Sequence, residues 1–318
     1  MNFLEQFRAR VQLKTISKLN TPSKNETLLF SVVRNEEKMI PFFLKYYFSK
    51  GLDRAFIVVN NSTDGTKNYL LSQKNVTVFE SNAKFGKNKE RWLNYLLNEY
   101  GAGHWCVVAD ADEFLYYPNC NKLGIKEICN YLENEGANTL HSILLDFYSK
   151  KPLSETKYKV GKNPIEFCNY FDPKSHHSRN VNMGSGVVPK KAFFGGVRER
   201  IFEIENLCLS KVPLFKFNKE MRLLDGHHFI KNGKLSKMQG VVMHFKFFDN
   251  FYQKAEEESK REEHWENAKE YKKYLEKLGK DGLIEFFCKK SVKFTGKKQL
   301  EKLRLLKNPR DFIKKEKK

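Results

Sequence analysis

The chain has 318 residues, 58 Lys+Arg against 38 Asp+Glu, a formal net charge of +20, and 40% hydrophobic and 14% aromatic residues. That apolar content excludes disorder of the whole chain, and no apolar run approaches the ~18 residues of a membrane span, which excludes an integral membrane protein. The length suits one large domain or two small ones, and the basic excess admits three classes of partner: nucleic acid, an anionic membrane surface or a phosphorylated substrate.

Residues 1–27 carry apolar side chains at mixed spacing (Phe3, Leu4, Phe7, Val11, Leu13, Ile16, Leu19), which predicts a short amphipathic helix ended by Thr21-Pro22-Ser23. Acid and base precede any apolar stretch in MNFLEQFRAR, so this start does not read as a secretory signal. LLFSVV (28–33) predicts a buried strand, and EKMIPFFLKYYFSKG (37–51) a helix with Pro41 in its first turn and Gly51 as its stop. AFIVVN (55–60) predicts a second strand, NSTDGT (61–66) a turn into a helix reaching Leu71, and VTVF (76–79) a third strand. A helix over 88–100 ends at Gly101, and the apolar run WCVVA (105–109) stops at two carboxylates. Short continuous apolar strands alternating with helices indicate a doubly wound α/β domain with a mostly parallel sheet. Ligands in such sheets bind beyond the carboxyl ends of the strands, where RNEE, NNSTDG and DADE all fall. Beyond Lys150 the pattern loosens, before QGVVMHFKFF (239–248) predicts another strand and 251–280 a helical stretch dense in Glu and Lys.

Six scattered cysteines with no C-x-x-C spacing point to neither a zinc site nor a disulfide framework, and a reducing cytoplasm is the simplest location. Residues 289–318 hold 13 Lys+Arg against 3 Asp+Glu, half of the net charge, so a mildly basic body with a basic tail is expected. Duplex binding calls for cations spread over the body, and no nucleic-acid partner is expected.

The sharpest local feature is Asp110-Ala111-Asp112-Glu113-Phe114. If the chain stays extended past the strand, Asp110 and Asp112 face one pocket, where their repulsion is relieved by a hard divalent ion, Mg²⁺ or Mn²⁺. A solvated acidic turn is the competing account. KFGKNKERW (84–92) brings Lys84, Lys87, Lys89 and Arg91 near the second and third loops as phosphate partners or as a solvated helix start. GGVRE (195–199) offers Gly195 and Gly196 for close backbone approach, with Arg198 and Arg200 flanking Glu199 in an extended segment, or else a glycine hairpin with surface charges. His244 stands in an apolar strand with Lys246 two residues on and so on the same face, and His227 and His228 lie in LLDGHH.

Taken in order, RNEE (34–37), VVNNSTDGT (58–66), WCVVADADEFLYYP (105–118), GGVRERIF (195–202), SKVPL (210–214) and VVMHFKFF (241–248) make the chain resemble bacterial family 2-like glycosyltransferases of the GT-A fold, from about Leu28 to Leu306. The resemblance implies a GT-A domain over 28–250, with a nucleotide-sugar part at 28–118 and an acceptor part at 119–250, preceded by an N-terminal segment at 1–27 and followed by a helical basic extension at 251–318. It implies a nucleoside-diphosphate-sugar donor, with Asn35, Glu36, Asn61, Asp64, Lys87, Asp110, Ala111, Arg198 and Lys246 around it. It further implies a metal held by Asp112, Asp110 and His244, and Glu199 as catalytic base with Asp225 in reserve. The loop at 61–66 equally suits a turn capping the next helix. The implied acceptor is a glycan or lipid-linked glycan. For the tail at 289–318, interleaved with Phe286, Phe287, Phe294 and Phe312, two readings stand: a solvated terminus, or a peripheral contact with an anionic membrane. A non-catalytic basic protein that binds nucleic acid or membrane is the alternative from another class, and a nucleotidyltransferase a third, disfavoured by the lack of a Gly-rich basic loop after the first strand.

Overall fold

The structure is a computed structural model that describes residues 3–19, 21–86, 88–263, 265–278, 284–309 and 312. Nine strands form its central sheet: β1 (Lys14–Thr15), β2 (Thr27–Val33), β3 (Arg54–Asn60), β4 (Val76–Ser81), β5 (Trp105–Val108), β6 (Glu113–Tyr116), β7 (Thr139–Asp146), β8 (Ser210–Lys216) and β9 (Leu235–His244). Across the sheet β1 is followed by β4, β3, β2, β5, β8, β7, β9 and β6. β2 pairs in parallel with both β3 and β5, and β7 pairs in parallel with β9, whereas β1, β6 and β8 run antiparallel to their neighbours.

All seven residues of β2 are buried. Alternate side chains explain this: Leu29 and Val33 enter one apolar cluster, and Leu28, Phe30 and Val32 enter a second on the opposite face. A strand covered on both faces reads as a continuous apolar run, and LLFSVV, AFIVVN and WCVVA form strands as predicted. Helices α1 (Phe3–Gln12), α2 (Ile40–Ser49), α3 (Thr66–Leu71) and α4 (Asn88–Leu96) match the predicted helices, α4 passing into one wider π turn at Leu97–Gly101. Pro41 lies in the first turn of α2, where its missing N–H costs no helical hydrogen bond.

Five features depart from the sequence reading. EFLY at 113–116 is strand β6, helix α5 (Ile125–Asn134) and β7 lie in a stretch given no assignment, and β8 holds the SKVPL motif as a strand inside the main sheet. The GGVRE segment is not extended. Gly195 and Gly196 adopt φ of 99° and 89°, closing the preceding strand, and α6 (Val197–Phe202) begins at once. The stretch 251–280 is two helices, α7 (Phe251–Arg261) and α8 (Trp265–Leu278), parted at Glu262, whose φ is 54°. A third apolar cluster joins these helices to the body through Phe202, Phe247, Phe251, Tyr274 and Phe286.

The tail also differs from expectation. Phe286 and Phe312 are buried, Phe312 against Tyr131 at 4.8 Å, and Phe294 packs on Phe147 at 5.6 Å. Of the tail aromatics, Phe286 and Phe312 therefore belong to the core, while Phe287 and Phe294 are half-buried. Residues 313–318 lie outside the described residues. Among the described residues no helix is long and apolar enough to cross a membrane.

Candidate functional site

Strands β2, β3, β4, β5, β7 and β9 all run the same way, so their carboxyl ends meet one edge of the sheet, and antiparallel β6 and β8 bring their first residues to the same edge. The strand order turns back between β2 and β5, and a crevice beyond such a switch point is where open α/β sheets bind ligands. A cleft of about 450 Å³ opens there, lined by residues 32–39 after β2, Thr63 and Asp64 after β3, Asp110 to Asp112 after β5, His244 to Lys246 after β9, and one face of α7.

Asp112 and His244 face each other across this cleft, with Oδ2 3.2 Å from Nε2. The other ring nitrogen of His244, Nδ1, lies 2.5 Å from Oδ1 of Asp146, the residue opposite it in the parallel β7–β9 register. Asp146 Oδ2 accepts from Arg198 Nε at 2.9 Å, Arg198 Nη1 donates to Glu270 at 3.0 Å, and Tyr274 closes the chain on Glu270. Burial by itself lowers the pKa of His244, but the carboxylates on its two sides outweigh burial and raise it to about 9. Burial pushes Asp112 and Asp146 up, and this is more than offset by His244 for Asp112 and by Arg198 and His244 for Asp146, leaving both below the ordinary carboxylate range. The imidazole is thus fixed at both ends, one nitrogen aimed at the cleft.

Asp110 takes a different partner. Lys89 Nζ lies 2.6 Å from its Oδ1, and Glu113 N–H donates to its carbonyl at 2.9 Å, closing a turn over 110–113. The extended geometry expected past the strand is therefore replaced by a turn that sends Asp110 to Lys89 and Asp112 to His244. Among the described residues no group of three or more His, Cys, Asp or Glu is placed to hold a metal ion, so the expected three-ligand set is not assembled.

The loops after β2 and β3 clasp each other. Asn35 Oδ1 accepts from Thr63 N–H at 2.8 Å, and Asp64 accepts from Glu37 N–H and Thr66 N–H at 3.0 Å each, so its carboxylate ties the β2 loop to the first N–H of α3. Glu36 pairs with Lys254 of α7 at 2.9 Å. Arg34 meets Glu258 at 2.6 Å, and Glu258 also receives Arg261, so α7 lies over the cleft strapped by ion pairs. Lys246 lies 3.5 Å from Tyr271 OH and over the Tyr271 and Tyr274 rings, and no carboxylate lies within 4 Å of it among the described residues.

The structure brings Asn35, Glu36, Asp64, Asp110, Ala111, Asp112, His244 and Lys246 to the cleft. Asn61, Arg198, Glu199 and Asp225 do not line it. Asn61 turns to the carbonyl of Asn82, Arg198 lies behind His244, Glu199 sits in the first turn of α6, and Asp225 begins the loop before His227 and His228. His228 Nδ1 is taken by the carbonyl of Ser210 at 2.7 Å. Lys87 lies outside the described residues. Sequence reasoning missed Asp146 and the α7 residues Lys254, Glu258 and Arg261.

Burial raises the Glu36 carboxyl to about 7, against the opposing pull of Lys254. The folded value exceeds the ordinary one, so the folded chain holds a proton that the unfolded chain releases between about pH 4.5 and 7. Stability from this group is present at acid pH and is lost as pH rises through 7. Glu36→Gln is accordingly expected to be more stable than wild type by about 2 kcal/mol at pH 8 and equal to it near pH 4.5. Melting curves at both pH values check this, and a gap independent of pH contradicts it.

No protein-family model and no curated protein matches the chain. Among solved structures it is similar in part to HddC from Yersinia pseudotuberculosis, with 11% identity and a TM-score of 0.26 over 39% of this chain and 60% of that one. It is similar to the mannosyltransferase PcManGT from Pyrobaculum calidifontis, solved with GDP-Man and Mn2+, with 17% identity and a TM-score of 0.30 over 48% of this chain and 44% of that one. A third likeness is to 4-diphosphocytidyl-2C-methyl-D-erythritol synthase, with 12% identity and a TM-score of 0.28 over 62% and 76% of the two chains. The matches span less than two thirds of the first two proteins, and likenesses this partial assign no activity.

Proposed function

We propose that the protein is a metal-dependent glycosyltransferase that moves a sugar from a nucleoside diphosphate, a UDP-sugar by the resemblance, to a hydroxyl of a glycan or lipid-linked acceptor in surface polysaccharide synthesis, with inversion. The observation that carries the reading is the alignment of Asp112, His244 and Asp146 at the carboxyl ends of three strands, opening on a cleft lined by the β2 and β3 loops. A histidine that gives one ring nitrogen to a carboxylate and aims the other at a cavity is oriented as a metal ligand.

The donor set fits a cation that takes two protein ligands. Mg²⁺ and Mn²⁺ keep waters and draw further ligands from substrate phosphates, so Asp112 and His244 suffice to hold one. When bound, the cation supplies neutralisation of the charge that develops on the leaving diphosphate. His244 would meet a bound cation through Nε2 as the neutral imidazole. Lys246, with no carboxylate within 4 Å among the described residues, is suited to a phosphate oxygen, and Lys89 beside Asp110 to the second phosphate. Asn35 and Glu36 face the nucleoside. For the acceptor proton the resemblance points to Glu199, with Asp225 as the alternative, and both lie outside the lining of the cleft. Support for Glu199 is that its helical turn is tethered to the site through Arg198, and for Asp225 that burial raises its carboxyl.

A thermal-shift panel of nucleotide sugars, with and without Mn²⁺, tests the reading. At a hundredfold excess over its dissociation constant the true donor contributes ~2.7 kcal/mol, a rise of about 5 °C, and the rise is expected only with the metal present. No shift with any nucleotide sugar, together with salt-sensitive binding of polyanions, returns the chain to the non-catalytic binding class.

A further inference from the structure

We propose that the outward face of α1 docks on an anionic lipid bilayer. At about 100° of turn per residue, Phe3, Leu4, Phe7 and Val11 fall on one side of this helix, Ala9 falls opposite, and Arg8 and Arg10 take the two flanks. Ala9 is fully buried, whereas Phe3, Leu4, Phe7 and Val11 are 82%, 59%, 56% and 64% exposed. The helix is therefore mounted with its polarity reversed, its small residue toward the core and its large apolar residues toward water. Contacts hold it in that attitude: Gln12 accepts from Trp92 Nε1 at 3.0 Å, Glu5 pairs with Arg222 at 3.1 Å, and β1, just beyond the helix, pairs with β4.

Scattered exposed apolar residues are ordinary, and Leu71, Val160 and Met183 are of that kind, but four on one helix face form a patch that marks an interaction site. Charge identifies the occupant. Arg8 and Arg10 flank the patch on the helix and Lys14 and Lys18 follow shortly after it in the chain, all four of them exposed, on a chain whose net charge is +20. Anionic headgroups complement these cations while the acyl boundary receives the apolar side chains. A second copy is a poorer fit, because a two-fold contact sets Arg8 and Arg10 against their own counterparts, and one ten-residue helix offers far less than the ~800 Å² per partner of a stable dimer. The described tail offers less apolar surface, since Phe286 and Phe312 are buried and Phe287 and Phe294 half-buried. This inference is independent of the proposed reaction.

Co-sedimentation of the full chain with phosphatidylcholine vesicles, with and without phosphatidylglycerol, tests it. Wild type is expected to bind the anionic vesicles at least ~10-fold better than the neutral ones. The double variant Phe3→Ser/Phe7→Ser is expected to lose ~10-fold of that partitioning, and Arg8→Gln/Arg10→Gln to lose the preference for phosphatidylglycerol. Neither should move the melting temperature, because the altered side chains lie in water. Wild type that ignores both vesicles, or an apolar variant that binds as wild type does, overturns the proposal. So does concentration-dependent dimerisation that Phe3→Ser/Phe7→Ser abolishes, which gives the face to a second copy instead.

Discussion

Asp112→Asn is expected to lower sugar transfer by at least ~10³-fold while the protein stays folded. Asn keeps the volume of Asp and an oxygen that can face His244, but it loses the charge, and a hard cation held by only two protein groups does not tolerate that loss. The structural cost is small because His244 keeps its hydrogen bond to Asp146 and Asp146 keeps Arg198, so the imidazole stays in place. Removing the exposed end of this carboxylate–histidine–carboxylate line should change stability by about 1 kcal/mol. The measurement pairs a transfer assay over a Mn²⁺ titration with a melting curve. Wild-type turnover in Asp112→Asn, or turnover in wild type that survives excess chelator, sinks the metal role. Glu199→Gln serves as a comparison in the same assay: it should keep the metal-dependent donor shift and lose turnover, and if Asp225→Asn does so instead, the base is Asp225.

The sheet was legible because burial on both faces writes its strands as unbroken apolar runs. LLFSVV, AFIVVN and WCVVA carry that signal, and the polar loops that follow them mark the carboxyl edge. The same signal was present in TLHSILLD, where an apolar run also ends in a carboxylate, and reading it as WCVVAD was read points to Asp146. What no local pattern contains is the pairing of β7 with β9, which sets Asp146 beside His244 across 98 residues of chain. Separation also hid the roles of α7, since Lys254 and Glu258 look like the solvated face of a charged helix until Glu36 and Arg34 are seen opposite them. Composition misled in the tail, where Phe among Lys resembles a lipid-facing segment but Phe286 and Phe312 are buried. The exposed apolar face lies instead on the first helix, where only the burial of Ala9 shows which side is turned outward.

Glu113 carries the largest expected stability effect. It follows the acidic turn at the first position of β6, is 3% exposed, and accepts from Lys211 Nζ at 2.9 Å and from His227 Nε2 at 2.9 Å. Lys211 is 6% exposed, so its ammonium has almost no water to turn to. Burial and the nearby Lys211 hold His227 below its ordinary pKa, so near neutral pH it is an uncharged imidazole, and its Nδ1 has no hydrogen-bond partner among the described residues. Glu113→Ala takes the contacting carboxylate from a buried ammonium, a change that typically costs 3–5 kcal/mol, and the melting temperature is expected to fall by about 5–8 °C. The double variant Glu113→Leu/Lys211→Met removes both charges at similar volume and should recover most of that loss, because an apolar pair of matching shape replaces a buried ion pair at little cost. Equal destabilisation in the single and double variants places the cost in packing and refutes the unpaired-charge account. Because Glu113 also closes the 110–113 turn through its N–H to Asp110, a backbone bond that both variants keep, the recovered double variant should hold Asp112 in place and bind metal as wild type does.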